Sequence, residues 1–131
     1  MIFNFEHGTL PGSLELAYLG DSLYDLYVRE HLVAGGGRVH ALHRQAVSMV
    51  CAHAQAEALG RVEGLLTNEE ADVVRRARNA KQSPPRNADI GEYHRATALE
   101  ALVGYLYVTG RRDRMNEILA AALPFQENGN D

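Results

Sequence analysis

The sequence predicts an all-α fold in a single domain, and three observations carry that expectation. Apolar residues recur at three- and four-residue spacing along most of the chain. Breaks containing glycine or proline divide these stretches into segments of helical length. No stretch of convincing length alternates apolar and polar residues as a half-buried strand does.

The elements follow in order. Ser13 is a good N-cap, and Leu16, Leu19, Leu23, Leu26 and Tyr27 lie on one helical face, so a first helix is expected from Ser13 to about Val33. Gly35-Gly36-Gly37 ends it. An alanine-rich second helix is expected from about His40 to Leu59, stopping near Gly60. Thr67 offers a cap, with Glu69 and Glu70 in the turn it opens, and a short helix should run to about Arg78. Residues 79–90 are rich in proline and asparagine and read as a loop. A long helix follows from about Gly91 to Val108. Tyr105-Leu106-Tyr107-Val108 has strand-forming residues but continues the helical run and is read as helix. Gly110 breaks that run, and a last helix covers about Asp113 to Leu123. The domain is therefore expected over 1–123, with a disordered tail over 124–131.

Composition narrows the class of protein. A chain of 131 residues is long enough for one domain with a core, and 46% apolar residues argue against disorder. The single cysteine, Cys51, excludes an intramolecular disulfide and makes a reducing cytosol the default. Cys51 lies in an apolar run and is expected to be a small buried hydrophobe. The N-terminus lacks a basic region followed by an apolar one, so no targeting segment is expected. The longest apolar run, Ala101 to Val108, falls far short of the roughly 20 residues that span a membrane. A soluble cytoplasmic protein with no membrane partner is expected. The formal net charge is −4, so nucleic-acid binding would need its cations clustered.

Two acidic residues stand out because their surroundings are apolar. Asp21 lies in Leu16-Ala17-Tyr18-Leu19-Gly20-Asp21-Ser22-Leu23-Tyr24, and Glu100 is the only charged residue from Ala96 to Gly110. Withdrawing a carboxylate from water is costly unless it is paired or holds a metal. Each segment also contains a glycine, Gly20 and Gly104, which costs a helix about 0.5–1 kcal/mol against alanine. Close approach of two helices at these glycines would offset that cost. It would bring Asp21 and Glu100 together, and two facing carboxylates suit a divalent cation. A bland alternative pairs Glu100 with an arginine such as Arg95. Asp25 shares a face with Asp21 and is expected in a surface ion pair with Arg29.

The cations are unevenly spread. Arg75, Arg76, Arg78, Lys81 and Arg86 place five of the thirteen Lys and Arg within twelve positions, across a helix end and the following loop. They answer the helix dipole, and with Asn79 and Asn87 they also suit phosphate contacts. Arg111, Arg112 and Arg114 follow the Glu100 helix and are expected as its dipole partners. His40 and His43 have a metal-compatible spacing but no visible third ligand, so they are expected to be ordinary surface or interface histidines. Gly35-Gly36-Gly37 lacks the strand and lysine of a phosphate-binding loop.

Together these segments resemble the catalytic domain of the ribonuclease III family. Tyr18-Leu19-Gly20-Asp21-Ser22-Leu23 is similar to that family's signature helix, and Glu100-Ala101-Leu102-Val103-Gly104 to its second acidic helix. Arg76-Ala77-Arg78-Asn79-Ala80-Lys81, and the whole run from Ala96 to Tyr107, resemble the short bacterial branch of the family. The resemblance covers about Leu14 to Leu123. It implies a ribonuclease III endonuclease-domain-like helical bundle that cleaves double-stranded RNA, in which Asp21 and Glu100 are catalytic and hold Mg²⁺, with Mn²⁺ a substitute. The cation would activate a water and offset charge on the phosphate in an in-line displacement. The resemblance further implies products with a 5′ phosphate and a 3′ hydroxyl, a homodimer with one site per strand, and maturation of 23S ribosomal RNA. Arg75, Arg76, Arg78, Asn79, Lys81 and Arg86 are the expected RNA contacts.

The chain also departs from the full-length family, which carries further acids where Ala17 and Thr97 stand here. No double-stranded RNA-binding domain is expected after Leu123, so grip on substrate falls to the catalytic domain or to a partner such as a ribosomal protein that shapes the RNA. A non-catalytic RNA-binding helical dimer associated with ribosome assembly is the alternative that Ala17 and Thr97 keep open. An all-α structural or regulatory dimer without RNA is a third, supported by the net negative charge.

Overall fold

A computed structural model describes residues 9–125 as six α-helices, with no strand among the described residues. They are α1 (Ser13–Gly35), α2 (Val39–Val50), α3 (Ala52–Val62), α4 (Asn68–Arg78), α5 (Ile90–Val108) and α6 (Arg112–Ala122), with a short 3₁₀ turn at Glu63–Leu65. The all-α expectation holds.

The frame is organised around α5. Every residue from Ala96 to Leu106 except Glu100 is buried, so this helix is central rather than amphipathic. Helix α1 crosses it in the most extensive helix–helix contact, α3 and α4 flank it, and α6 packs on α3 and α5. The core between them is mainly aliphatic: Val28, Leu59, Leu99, Leu102, Leu106, Ile118 and Leu119 are fully buried, together with Tyr24.

Local chemistry explains the helix ends. Thr67 and Glu70 form the expected capping box at α4, with Glu70 N–H donating to Thr67 Oγ1 at 3.1 Å and Thr67 N–H to Glu70 Oε1 at 3.0 Å. Asp89 caps α5 by accepting from Glu92 N–H at 2.9 Å. Helix α1 stops at Gly36, whose φ of 83° favours glycine.

Four expectations need correction. Ser13 does not cap α1: Gly12 holds the N-cap position, without a side-chain hydrogen bond. The helix expected from His40 to Leu59 is two helices, broken at Cys51, where ψ is 160°. The break lets α2 pack on α1 while α3 turns onto α5. For the same reason Cys51 is exposed and not a core residue, its Sγ donating weakly to the Ser48 carbonyl at 3.7 Å. Lastly, Arg111 and Arg114 are more than dipole partners of α5. Arg111 pairs with Glu69 at 2.7 Å, and Arg114 grips buried Glu70 with two donors, at 2.9 and 2.8 Å. They clamp α6 to the first turn of α4, which holds Glu70 well below the usual carboxylate range.

Pro124 and Phe125, assigned to the tail in the sequence reading, are described. Phe125 stacks on His31 with centroids 4.6 Å apart. The rest of that tail, 126–131, and residues 1–8 lie outside the described residues.

Candidate active site

The site begins with the two glycines. Helices α1 and α5 cross so closely that a Cβ on Gly20 would stand 1.7 Å from the Glu100 carbonyl oxygen, and one on Gly104 would stand 2.1 Å from that of Leu16. Only hydrogen fits at either position, so the glycines permit the crossing. Asp21 follows Gly20 and Glu100 lies one turn before Gly104, and the crossing therefore faces the two carboxylates across the helix pair.

Their electrostatics follow from that position. Asp21 is exposed and Glu100 is half-buried. Burial pushes the Glu100 carboxyl up to about 8, and the charge of Asp21 and a hydrogen bond shared with it push the same way. Burial and the neighbouring Asp21 charge thus disfavour the ionised form of Glu100. The alternative of a Glu100–Arg95 ion pair does not occur: Arg95 binds Glu63 at 3.0 Å and the Ala56 carbonyl at 3.3 Å.

Around the pair lies a cleft of about 290 Å³ bounded by Ala17, Tyr18, Gln82, Ser83, Tyr93 and Thr97. A larger cavity of about 560 Å³ lies toward the C-terminal end of α1, among Tyr27, His31, Gln45 and Phe125, and no carboxylate lines it. The carboxylate cleft, by contrast, brings two acids together.

The donor set fits a hard divalent ion. Two carboxylates can supply oxygen ligands, and an ion such as Mg²⁺ keeps several waters, which the cleft has room to hold. Among the described residues no group of three or more His, Cys, Asp or Glu gathers as a metal site. The remaining positions would fall to water and to substrate oxygens. His40 and His43 are exposed on α2, as expected.

The basic segment reaches this cleft through a residue that sequence reasoning missed. Gln82 Nε2 donates to the carbonyls of Ala77 and Ala80 at 3.3 and 3.4 Å, and Thr97 Oγ1 donates to Gln82 Oε1 at 2.7 Å. Thr97, where the full-length family carries an acid, thus ties the loop to α5 one turn before Glu100. Within the segment, Arg75 and Arg76 both pair with Asp72, Arg76 at 3.1 Å. Arg78, Asn79, Lys81 and Arg86 are exposed, and Arg78, Lys81 and Arg86 form no ion pair among the described residues. The expected Asp25–Arg29 pair forms at 3.0 Å.

Gln55 and Tyr24, also missed, lie on the buried side of Glu100. Gln55 is 2% exposed and Tyr24 fully buried. Gln55 had one sequence signal: it precedes Leu59 and Val62 by four and seven residues, on the face of α3 that turns inward. Gln82, in an irregular loop, had none.

Comparison with known proteins agrees with this architecture. Residues 14–111 match the Ribonuclease III domain. A Mini-ribonuclease 3 from Symbiobacterium thermophilum is 52% identical over 123 residues, covering 92% of this chain and 94% of that protein. One from Brevibacillus brevis is 46% identical, with 90% of each chain covered. A crystal structure of a protein from Fusobacterium nucleatum superposes with a TM-score of 0.80 at 28% identity, covering 87% of this chain and 94% of that one.

Proposed function

The chain belongs to the ribonuclease III family, in its short Mini-ribonuclease 3 branch, and from that premise we propose that it is a Mg²⁺-dependent endoribonuclease that cleaves double-stranded RNA. The observation that carries the reading is the pairing of Asp21 with Glu100 across the glycine crossing, at a cleft to which Gln82 and Thr97 tether the basic segment. Asp21 and Glu100 would hold the cation. When bound, the ion supplies an activated water and neutralises charge on the scissile phosphate. Mn²⁺ takes oxygen ligands of the same kind and would substitute.

The chain's own residues supply grip and position. Arg78, Lys81 and Arg86 are exposed cations free to meet backbone phosphates, while Arg75 and Arg76 must loosen from Asp72 to do so. Asn79 adds a neutral donor beside them. A-form RNA shows its backbone and 2′-hydroxyls across a wide minor groove, so contacts of this kind recognise shape more than sequence. Cutting both strands close together calls for two sites, hence a homodimer. The exposed apolar residues of α1, Tyr18 at 84% and Leu26 at 54%, and Val47 of α2 favour such an assembly. Products with a 5′ phosphate and 3′ hydroxyl, a 23S ribosomal RNA precursor as substrate, a ribosomal protein that shapes it and a cytoplasmic location complete the proposal. No helix among the described residues is long and apolar enough to cross a membrane.

The decisive experiment is cleavage of a labelled RNA duplex by wild type and by Glu100→Ala, with Mg²⁺ and with chelator. Cutting by wild type alone, and only with metal, supports the reading. A duplex that is bound but never cut, in any divalent metal, would replace it with the RNA-binding alternative, for which Ala17 and Thr97 at the acidic positions of the full-length family are the motivating observation.

A further inference from the structure

Two buried polar atoms remain without a hydrogen-bond partner among the described residues, Gln55 Nε2, beside Glu100, and Tyr24 Oη, which feels the charges of Arg61 and Glu100. Their isolation is unusual. Most buried donors are satisfied, and an orphaned one costs roughly 1–3 kcal/mol. Other polar groups nearby are already engaged: Arg61 gives two hydrogen bonds to the Ala122 carbonyl, at 3.0 and 2.6 Å, and Arg95 is committed to Glu63 and Ala56. The Gln55 amide thus stands against Glu100, and the Tyr24 hydroxyl lies within the electrostatic reach of both Arg61 and Glu100.

We propose that Gln55, with Tyr24 as a second donor, is a positioning residue that orients the ionised Glu100 carboxylate for a divalent cation. The inference rests on the metal-dependent nuclease reading above. Glu100 has an amide donor beside it on α3. The Gln55 amide approaches it closely enough to favour the charged form, yet remains outside hydrogen-bonding geometry. A cation held between the carboxylates would keep Glu100 in its charged form. Its core-side oxygen then becomes a strong acceptor, and a charge-assisted hydrogen bond from Gln55 fixes the carboxylate plane. Tyr24 Oη, equally without a partner among the described residues, would be the second donor. Outer partners of metal-bound carboxylates act in this way, and their loss commonly weakens metal binding 10–100-fold.

The test is Mn²⁺ binding by the full chain, followed by the loss of the free-ion electron paramagnetic resonance signal, for wild type, Gln55→Met and Tyr24→Phe. Both substitutions keep the volume and delete the donor. Gln55→Met should bind Mn²⁺ at least about tenfold more weakly, and Tyr24→Phe a few-fold more weakly. Melts in chelator should match or exceed wild type, since an orphaned polar atom has been replaced by an apolar one. Cleavage by Gln55→Met should recover as Mg²⁺ is raised, which a general structural defect would not do. If Gln55→Met binds Mn²⁺ and cuts duplex RNA at the same metal concentrations as wild type, the positioning role is wrong and the nuclease reading stands. Should Gln55→Met not fold, Gln55→Leu takes its place, and an unchanged Mn²⁺ affinity in that variant overturns the role in the same way. A wild type that neither binds Mn²⁺ nor cuts removes the nuclease reading, and this inference with it.

Discussion

Adding one methyl group at Gly20 tests whether the helix crossing is as tight as it must be to pair the carboxylates. The Gly20→Ala Cβ would meet the Glu100 carbonyl oxygen at 1.7 Å, its carbonyl carbon at 2.6 Å and Gly104 N at 3.0 Å. Ordinary contact begins at 3.4 Å, and every obstructing atom is backbone, so no side chain can swing away. The helices must part by a large fraction of that 1.7 Å shortfall. Parting them thins the contacts of Tyr24, Leu99, Val103 and Leu106, all fully buried. A gap of 0.5–1 Å already forfeits roughly a quarter to a half of the dispersion energy at each contact. Overpacking typically costs about 1–3 kcal/mol, and a rigid obstacle puts this case at or above the upper end. Alanine returns about 1 kcal/mol of helix propensity, so a net loss of about 2–3 kcal/mol is expected. With about 2.1 cal/mol/K per residue of unfolding entropy, a chain of this length shifts by roughly 4 °C per kcal/mol, and Tm should fall by roughly 10 °C. Gly35→Ala is the control: nothing lies within 4 Å of its Cβ, and it should melt slightly above wild type. Calorimetry decides. A Gly20→Ala protein that melts at or above wild type would refute the tight crossing and, with it, the reason for two glycines in two helix interiors.

Other expected outcomes follow from the charged groups. Folded Glu100 holds its proton up to about 8 against an ordinary value of 4.5, so in chelator its ionisation destabilises the fold as pH rises through that window. Glu100→Gln should be more stable than wild type at pH 8 by about 2 kcal/mol after solvent relaxation, with no difference at pH 4. Denaturant melts of the two proteins compare this directly and cancel His53, whose raised pKa also loses stability as pH rises; parallel curves would show that Glu100 is not perturbed. Glu70 has a depressed pKa, so its stabilisation is present above the ordinary carboxylate value and lost as pH falls through the lowered one. Removing its partner in Arg114→Met should cost about 3 kcal/mol at neutral pH, measured by urea unfolding. Replacing Arg78 and Lys81 together with alanine should weaken duplex RNA binding and lower the slope of log K against log salt by roughly 2, read by filter binding at several salt concentrations; an unchanged slope would remove the loop from the binding surface.

Much of the site is written in local sequence. Asp21 and Glu100 are identifiable because a charge within an apolar helix needs a reason, and Gly20 and Gly104 because a helix does not keep glycine without one. The capping box at Thr67 and Glu70 is equally visible, since both partners lie within four residues. The apolar neighbours of Cys51 suggest one continuous helix with a buried thiol. What exposes it is the bend that sends α2 to α1 and α3 to α5, and no local pattern encodes that choice.

The sequence by itself thus determined an all-α chain, its cation-rich loop and the two acids, because helix periodicity, capping and the cost of a buried charge act over a few residues. Only the tertiary structure decided which groups serve those acids. Gln55 meets Glu100 because α3 packs on α5. Gln82 reaches Thr97 across fifteen positions, and Arg114 reaches Glu70 across forty-four. These contacts exist because the other helices close around α5, and polar groups far apart in the chain then satisfy one another where water is excluded.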